Sequence, residues 1–222
     1  MSYILHIETS TKTCSVALSK NGELVTFKES NDGEFVHGEQ LTLFIQSVIN
    51  EADIDIKLLD AVSVTSGPGS YTGLRIGVST AKGICFALEI PLIAIDSLLN
   101  LAAIAQKKYS DSTLCPMIDA RRLEVYNAIY DPNLHFLKPI SADILDVTSY
   151  QQFEPYVYFG DGAQKAHLLW ENRNARFDTT IFSSARGHVS LAYSKFNTKD
   201  FQDLAYFEPF YLKDFVGGKN QS

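Results

Sequence analysis

The sequence predicts an α/β protein, and three observations lead to this class. The first is a run of three short strands joined by tight turns, which is typical of an antiparallel meander. The second is an alternation of apolar strands and amphipathic helices after the meander. The third is the turn Gly67-Pro68-Gly69, which ends an apolar strand and leads directly into a helix. Together they predict one mixed five-stranded sheet within residues 1–106.

The first half of the chain supplies three meander strands, three helices and two further strands. Asn21-Gly22 is a strong hairpin signal between the second and third strands. A polar loop at Asn31-Asp32-Gly33 leads to the first helix, and Asp96 or Ser97 caps the third. The predicted strands are 3–7, 14–18, 24–27, 60–65 and 91–95, and the predicted helices are 37–52, the segment after Gly69, and 97–106.

The helix after Gly69 carries small residues at every fourth position, namely Gly73, Gly77 and Ala81, beside an apolar stripe. Ser70 or Thr72 can cap it. Because it is apolar on nearly all sides, we expect it to be buried between the sheet and a second surface. Three interpretations stay open: a core helix, an anion-binding helix N-terminus, and a helix offered to a partner protein.

The second half is less regular. Two strands surround the turn Ala120-Arg121-Arg122, and the aromatic segment 207–212 is expected to pack back onto the body. Residues 132–147 form a loop with only weak strand signals. The remaining predictions are strands at 113–119, 124–130 and 156–159, and helices at 163 to about 172 and at 188–196.

Composition excludes several classes of protein. The chain has 222 residues and a formal net charge of −7, which argues against a broad nucleic-acid surface of its own. If RNA is involved, another subunit should supply most of the positive charge. The three cysteines lie far apart in apolar contexts, as in a reducing compartment. No apolar run reaches the ~20 residues of a membrane span, and the first residues lack a signal-peptide pattern, so we expect a cytoplasmic protein.

Phosphate binding is the chemistry that the residues favour. The loop Glu8-Thr9-Ser10-Thr11 joins two strands with hydroxyl groups and a carboxylate, which could hold a phosphate or a hydrated Mg²⁺. Residues 67–73 and Gly160-Asp161-Gly162 could add backbone N–H groups. The charged turn from Asp119 to Glu124 is as well explained by solvation as by function. No two histidines lie within five residues of each other, so no metal site is predicted.

Several stretches together resemble the bacterial TsaB (YeaZ) family of the actin-like ATPase superfamily. They are IETSTKTCSVAL, SVTSGPGSYTGLRIGVSTAKG, IDARRLEVYNAIY, GDGA and EPFYLK, in the order of the family. The resemblance implies an actin-like, ribonuclease-H-like fold of two lobes with the C-terminal lobe reduced. We expect the lobes at 1–106 and 107–216 and a flexible tail at 217–222. The family usually has aspartate where this chain has Glu8.

The resemblance also implies a function. TsaB proteins are non-catalytic subunits in the formation of threonylcarbamoyladenosine beside the anticodon of tRNAs that read codons beginning with A. The paralogue TsaD transfers the threonylcarbamoyl group from its adenylate, and the ATPase TsaE completes the assembly. Two metal-binding histidines of TsaD correspond to Ser97 and Leu101 here, so neither a catalytic residue nor a metal is expected. No cofactor is required, although ATP or ADP with Mg²⁺ at the partner junction stays open.

The expected partners are TsaD in a heterodimer, TsaE, and a second copy of this chain when TsaD is absent, with tRNA contacted mainly through partners. In the family, the first two helices of the N-terminal lobe pack against the same pair of the partner. The residues implied at this interface are His37, Gln40, Phe44, Gly73, Leu74, Ile76, Gly77, Val78, Thr80, Ala81 and Ile84.

Two other functions stay open. An autonomous ATP-dependent phosphotransferase or ATPase would use the loop Glu8-Thr9-Ser10-Thr11. A peptidase, once suggested for relatives, would need a metal or a nucleophile arrangement that the sequence does not contain.

Overall fold

The computed structural model describes residues 1–31, 37–170 and 173–213. Most of the predicted loop Asn31-Asp32-Gly33, the expected end of a helix near residue 172, and the tail 217–222 lie outside the described residues. None of the described helices is long and apolar enough to cross a membrane.

The first sheet confirms the prediction of five mixed strands. Its order is β3-β2-β1-β4-β5, with an antiparallel meander β1–β3 and parallel pairs β1/β4 and β4/β5. The strands are β1 (Tyr3–Glu8), β2 (Cys14–Lys20), β3 (Glu23–Ser30), β4 (Leu59–Gly67) and β5 (Leu92–Asp96). The helices of this half are α1 (His37–Glu51), α2 (Tyr71–Leu88) and α3 (Ser97–Gln106).

Strand alternation gives the first sheet two different faces. On β1, Leu5 and Ile7 enter an apolar core under α1 and α2. His6 and Glu8 lie on the opposite face and are equally buried. The capping predictions resolve to Ser70, whose Oγ accepts from Gly73 N, and to Asp96 at the start of α3.

A second five-stranded sheet follows, in the order β10-β9-β6-β7-β8. Few helical residues of this half cover the second sheet. Among the described residues of this half, the one helix that packs on this sheet has five residues. The elements are β6 (Thr113–Asp119), β7 (Glu124–Tyr130), β8 (Phe136–Ile144), β9 (Tyr156–Phe159), α4 (Ala163–His167), β10 (Ala175–Asp178) and α5 (His188–Thr198).

Two sequence expectations in this half were wrong, and one strand was missed. The loop expected at 132–147 contains β8, an edge strand of nine residues. Strand β10 was not predicted. Helix α4 ends at His167 because Trp170 turns into the core, where its indole N–H donates to Asp146 O at 2.8 Å.

Two helices pack on the sheet of the other half of the chain. Helix α3 packs on the second sheet through Leu98, Leu101 and Ala105. Helix α5 packs on the first sheet through Ala192, although it follows the strands of the second. The expected boundary between lobes at residue 106 therefore separates the strands correctly but assigns α3 and α5 to the wrong sheet. We propose that each lobe consists of one sheet with the helices that pack on it.

The segment after α5 packs back onto the body, as the aromatic pattern predicted, and the surface that it meets is the first sheet. Gln202 N donates to Leu92 O at 2.9 Å along the β5 edge. Phe207 packs against the core under α1 and α2, and Phe210 N donates to Ser66 O at 2.7 Å. We call residues 199–213 the C-terminal strap.

Candidate functional site

The predicted phosphate loop, Glu8-Thr9-Ser10-Thr11, is buried in the folded chain. The β4–α2 turn closes over it, with Ser70 N donating to Ser10 O at 2.6 Å and Thr9 Oγ1 donating to Gly73 O at 2.8 Å. A Cβ atom at Gly69 or Gly73 would come closer than 3.0 Å to the loop backbone, so these glycines permit the close approach. The loop is a packed, buried element, and the possible binding of a phosphate or nucleotide by it stays a prediction.

The carboxylate of Glu8 is saturated by groups of its own chain. Its Oε1 accepts from Ser10 N and from Ser10 Oγ, both at 2.6 Å. Its Oε2 accepts from Thr65 Oγ1 at 2.7 Å and from Asn100 Nδ2 at 2.6 Å, and lies 3.7 Å from His188 Nε2. Burial alone would raise the pKa of Glu8, but His188 and the hydrogen bonds of Ser10 outweigh it and lower the pKa.

The polar network continues through two histidines. His6 Nδ1 lies 2.7 Å from Ser63 Oγ, and His6 Nε2 lies 2.7 Å from Ser19 Oγ. Ser63 Oγ is also 3.1 Å from His188 Nδ1. Burial, and then the neighbouring His188, place the pKa of His6 well below its ordinary value. The network joins β1, β2, β4, α3 and α5 and has no side chain directed to solvent, which favours a structural role.

The sequence contained a signal for part of this network. His6 and Glu8 alternate with apolar residues on β1, so both had to share one face of the sheet. Asn100 and His188 lie far away in the chain and could not be assigned to this site without the fold.

Six residues that we expected at a partner interface are buried within the chain itself. Gly73 and Gly77 face the Thr9 loop, and a Cβ at Gly77 would overlap Thr9 Oγ1. The small residues therefore let α2 pack closely on its own chain, and their role at a partner interface stays a prediction. The buried residues are His37, Gly73, Leu74, Gly77, Val78 and Ala81.

The other five expected interface residues lie on an accessible surface. They are Gln40, Phe44, Ile76, Thr80 and Ile84, all partly exposed. Helices α1 and α2 contact each other, so these side chains form one face, which we call the α1–α2 face. Gly83 belongs to the same side of α2, and a Cβ there would meet nothing within 4 Å. Helix α2 is thus half exposed, contrary to the expectation of a helix buried all round.

The face is apolar at Phe44, Ile76 and Ile84 and has further exposed side chains at its borders. Leu43 on α1 is 62% exposed, and Phe86 on α2 is 79% exposed. Phe44, Ile76 and Ile84 have one side against the core of the first sheet and the other in solvent. Contiguous apolar groups of this kind mark interaction surfaces more often than single exposed residues do.

The two positions that the resemblance matches to the TsaD histidines lie in the interior of the chain. Ser97 and Leu101 are both fully buried on α3, and Leu101 packs between α3 and the second sheet. Among the residues that the structure describes, no group of three His, Cys, Asp or Glu side chains is close enough to hold a metal ion.

Comparison with known proteins gives the relationship of the chain. The family model described as "TsaD: tRNA N6-adenosine threonylcarbamoyltransferase" matches residues 35–209. The "tRNA threonylcarbamoyladenosine biosynthesis protein TsaB" of Bacillus subtilis is 35% identical over 144 residues, 63% of this chain and 60% of that protein. The protein of the same name in Escherichia coli is 34% identical over 127 residues, 57% of this chain and 54% of that protein. The chain thus spans little more than half the length of the curated relatives that it matches.

Solved structures extend the likeness to nearly the whole fold. "YeaZ from Pseudomonas aeruginosa" superposes with a TM-score of 0.82 at 25% identity, covering 96% of this chain and all of that one. The predicted α/β, actin-like fold is confirmed. The chain therefore belongs to the TsaD family and, within it, to the TsaB (YeaZ) group.

Proposed function

We propose that this protein is the TsaB-type subunit of the assembly that forms threonylcarbamoyladenosine in tRNA. In this role it binds TsaD without catalysing the transfer itself, and TsaE joins the assembly. A second copy of the chain takes the same position when TsaD is absent. The chemistry on tRNA implies a cytoplasmic site of action.

The α1–α2 face is the observation that carries the partner assignment. Two relatives named for tRNA threonylcarbamoyladenosine biosynthesis are 34–35% identical to this chain. The resemblance assigns the partner contact to the first two helices, and those helices present Phe44, Ile76 and Ile84 to solvent. Apolar side chains in one patch supply the desolvated centre that a stable protein interface needs.

A non-catalytic role is supported by the residues found at the positions where TsaD is expected to bind its metal and where an ATPase would bind Mg²⁺. Leu101 contributes packing where the paralogue has a metal ligand. The Glu8 carboxylate, which the alternative ATPase reaction would need for Mg²⁺, already accepts four hydrogen bonds from its own chain. A cation would have to displace these donors from a fully buried site.

Gly83→Glu tests the partner assignment. The site is open, so the variant should fold, while a carboxylate in the centre of the α1–α2 face should abolish copurification with TsaD. Gly77→Glu would be a poor test, because its side chain would enter the Thr9 loop. Ser190→Glu is the matched control, since Ser190 is exposed on α5, on the other face of the sheet.

The measurement is coexpression with TsaD followed by size exclusion with light scattering. We expect a one-to-one complex for the unchanged chain and for Ser190→Glu, and separate elution for Gly83→Glu. If Gly83→Glu binds TsaD as well as the unchanged chain does, this face is not the interface. If the unchanged chain ignores TsaD, the proposed function is wrong.

A further inference from the structure

The turn between β6 and β7 holds two arginines in an unfavourable backbone conformation. Arg121 and Arg122 have φ angles of 70° and 50°, in the left-handed region. The turn is closed by Glu124 N donating to Arg121 O at 3.1 Å and by Arg121 N donating to Asp119 Oδ1 at 2.6 Å. Asn and Gly adopt this conformation more readily than residues with long side chains. The arginines are therefore not the residues that folding of this turn favours.

The charges around the turn leave both arginines uncompensated. The two neighbouring carboxylates are already paired: Asp119 lies 2.7 Å from Lys165 Nζ, and Glu124 forms an ion pair with Lys213 of the C-terminal strap. Neither Arg121 nor Arg122 forms a side-chain hydrogen bond or an ion pair with any residue in 1–31, 37–170 or 173–213. The tip of the turn is thus locally positive on a chain with a net charge of −7.

Two other arginines of the chain, unlike the pair at the turn, form ion pairs with carboxylates. Arg173 Nε lies 2.6 Å from a Glu154 oxygen, and an Arg186 nitrogen lies 2.9 Å from a Glu29 oxygen. These two side chains are ordered by carboxylates and have structural roles. The pair at the turn is exposed, adjacent and available to an external anion, which a guanidinium binds in a bidentate manner.

An aromatic surface on the C-terminal strap, which is joined to the turn through the Lys213–Glu124 ion pair, favours RNA over an acidic protein as the ligand. The strap carries Tyr211 two residues before Lys213, and the Tyr211 ring lies 4.9 Å from that of Tyr71. The Arg75 guanidinium stacks on the Tyr71 ring at 4.0 Å. Arginines that bind phosphates, together with partly exposed aromatic rings that can stack on bases, are the usual components of RNA-binding surfaces.

We propose that Arg121 and Arg122 are this chain's own contact to the phosphate backbone of the tRNA. The proposal rests on the proposed function, which supplies the tRNA. It also refines the sequence expectation: the overall negative charge assigns most of the tRNA contact to the partners, but this turn is a local exception.

The variant Arg121→Asn with Arg122→Gly separates binding from folding. Asn and Gly suit the left-handed backbone, so the variant should be at least as stable as the unchanged chain while losing both positive charges. The matched control is Arg176→Ala with Lys107→Ala, which removes two exposed positive charges away from the turn.

The assay measures binding of fluorescently labelled tRNA to the purified complex with TsaD, over a series of salt concentrations. We expect the turn variant to bind tRNA roughly tenfold more weakly at 0.15 M salt and its log–log salt slope to fall by about 1.5. The control variant should match the unchanged complex in both measurements.

Three outcomes would overturn the proposal. The turn variant could bind tRNA with unchanged affinity and slope, or the control could lose as much as the turn variant, which would show a nonspecific charge effect. Alternatively, the turn variant could lose a protein subunit from the assembly while the remaining tRNA affinity is unchanged, which would make the pair a protein contact. Failure of the unchanged chain to join TsaD would instead reject the proposed function.

Discussion

His6 and Glu8 lie two residues apart on β1, so both point to the face of the first sheet that α5 covers. Both side chains are buried, but Glu8 is held in its charged form and His6 in its neutral form. Glu8 gains enough hydrogen bonds to stay ionised, whereas His6 has only hydroxyl partners and a second histidine beside it. A buried histidine whose pKa is lowered is held in its neutral form.

His6 should make stability depend on pH above pH 6. Its folded pKa is lowered, so the unfolded chain binds more protons and stability is lost as the pH falls through the unfolded pKa of about 6.5. Between pH 7.5 and 6 we expect a loss of about 1 kcal/mol from this group. His37, whose pKa is also lowered by burial, acts in the same direction. Chemical denaturation of His6→Gln should give a flatter profile than the unchanged chain.

A carboxyl group with a raised pKa opposes the effect of His6 on stability as the pH falls. Burial raises the pKa of Asp96 to about 6 in the folded chain. From about pH 7 downward this carboxyl binds more protons in the folded chain than in the unfolded chain, so it stabilises the fold as the pH falls. The unchanged chain and His6→Gln share this contribution, and the difference between their profiles reports His6. An equal slope for His6→Gln and the unchanged chain between pH 7.5 and 6 would mean that His6 is protonated in the folded state.

At the level of elements, α2 illustrates that identical residues on one helix can have opposite functions. Gly77 faces the Thr9 loop without room for a side chain, and Gly83 faces solvent. In the sequence both are small residues in an apolar helix, so spacing alone could not separate the side packed on the chain from the exposed side.

Alanine substitutions on α2 should therefore differ in sign. Gly83→Ala should stabilise the protein by about 0.5–1 kcal/mol, because alanine favours the helix and its methyl group meets nothing. Gly77→Ala should destabilise it by about 1–3 kcal/mol, because the methyl group would overlap Thr9. Urea denaturation of the two variants makes the comparison, and a loss of stability in both would contradict the assigned orientation of α2.

Periodicity predicted the elements of the first sheet well and those of the second less well. Residues 1–106 have strong alternation and clear turn residues such as Asn21-Gly22. Strand β8 lies at an exposed edge of the sheet and contains a lysine, a proline and a serine, so its alternation of apolar and polar residues was weak. The Glu8 loop looked like a ligand site because its composition suits one; only the fold shows that Ser10, Thr65 and Asn100 already satisfy its carboxylate.

At the scale of the whole molecule, α3 and α5 tie the two sheets together. Each helix packs on the sheet formed by the other half of the chain. The C-terminal strap adds a third connection, since Phe210 binds β4 and Lys213 pairs with Glu124 of β7. We therefore expect the two sheets to unfold in one transition.

Trp170 can test this cooperativity, because it is the one tryptophan of the chain and is buried in the core of the second sheet. Leu5→Ala in the first sheet should lower stability by about 3 kcal/mol. We expect the fluorescence of Trp170 to report the whole of that loss, with the same midpoint as circular dichroism. If the midpoint of the Trp170 fluorescence transition is the same in Leu5→Ala as in the unchanged chain, the two lobes unfold independently.

The position of α5 late in the chain has a consequence during synthesis. Residues 1–106 complete the first sheet, but its polar face stays without α5 and His188 until about ninety further residues have been added. At typical rates of synthesis this is a delay of roughly 5 to 20 seconds. During that time Glu8 and His6 are hydrated, and the sheet lacks the helix that seals it. A ribosome-bound chain is therefore most exposed to proteases and chaperones in this interval, although half of its strands have already been made.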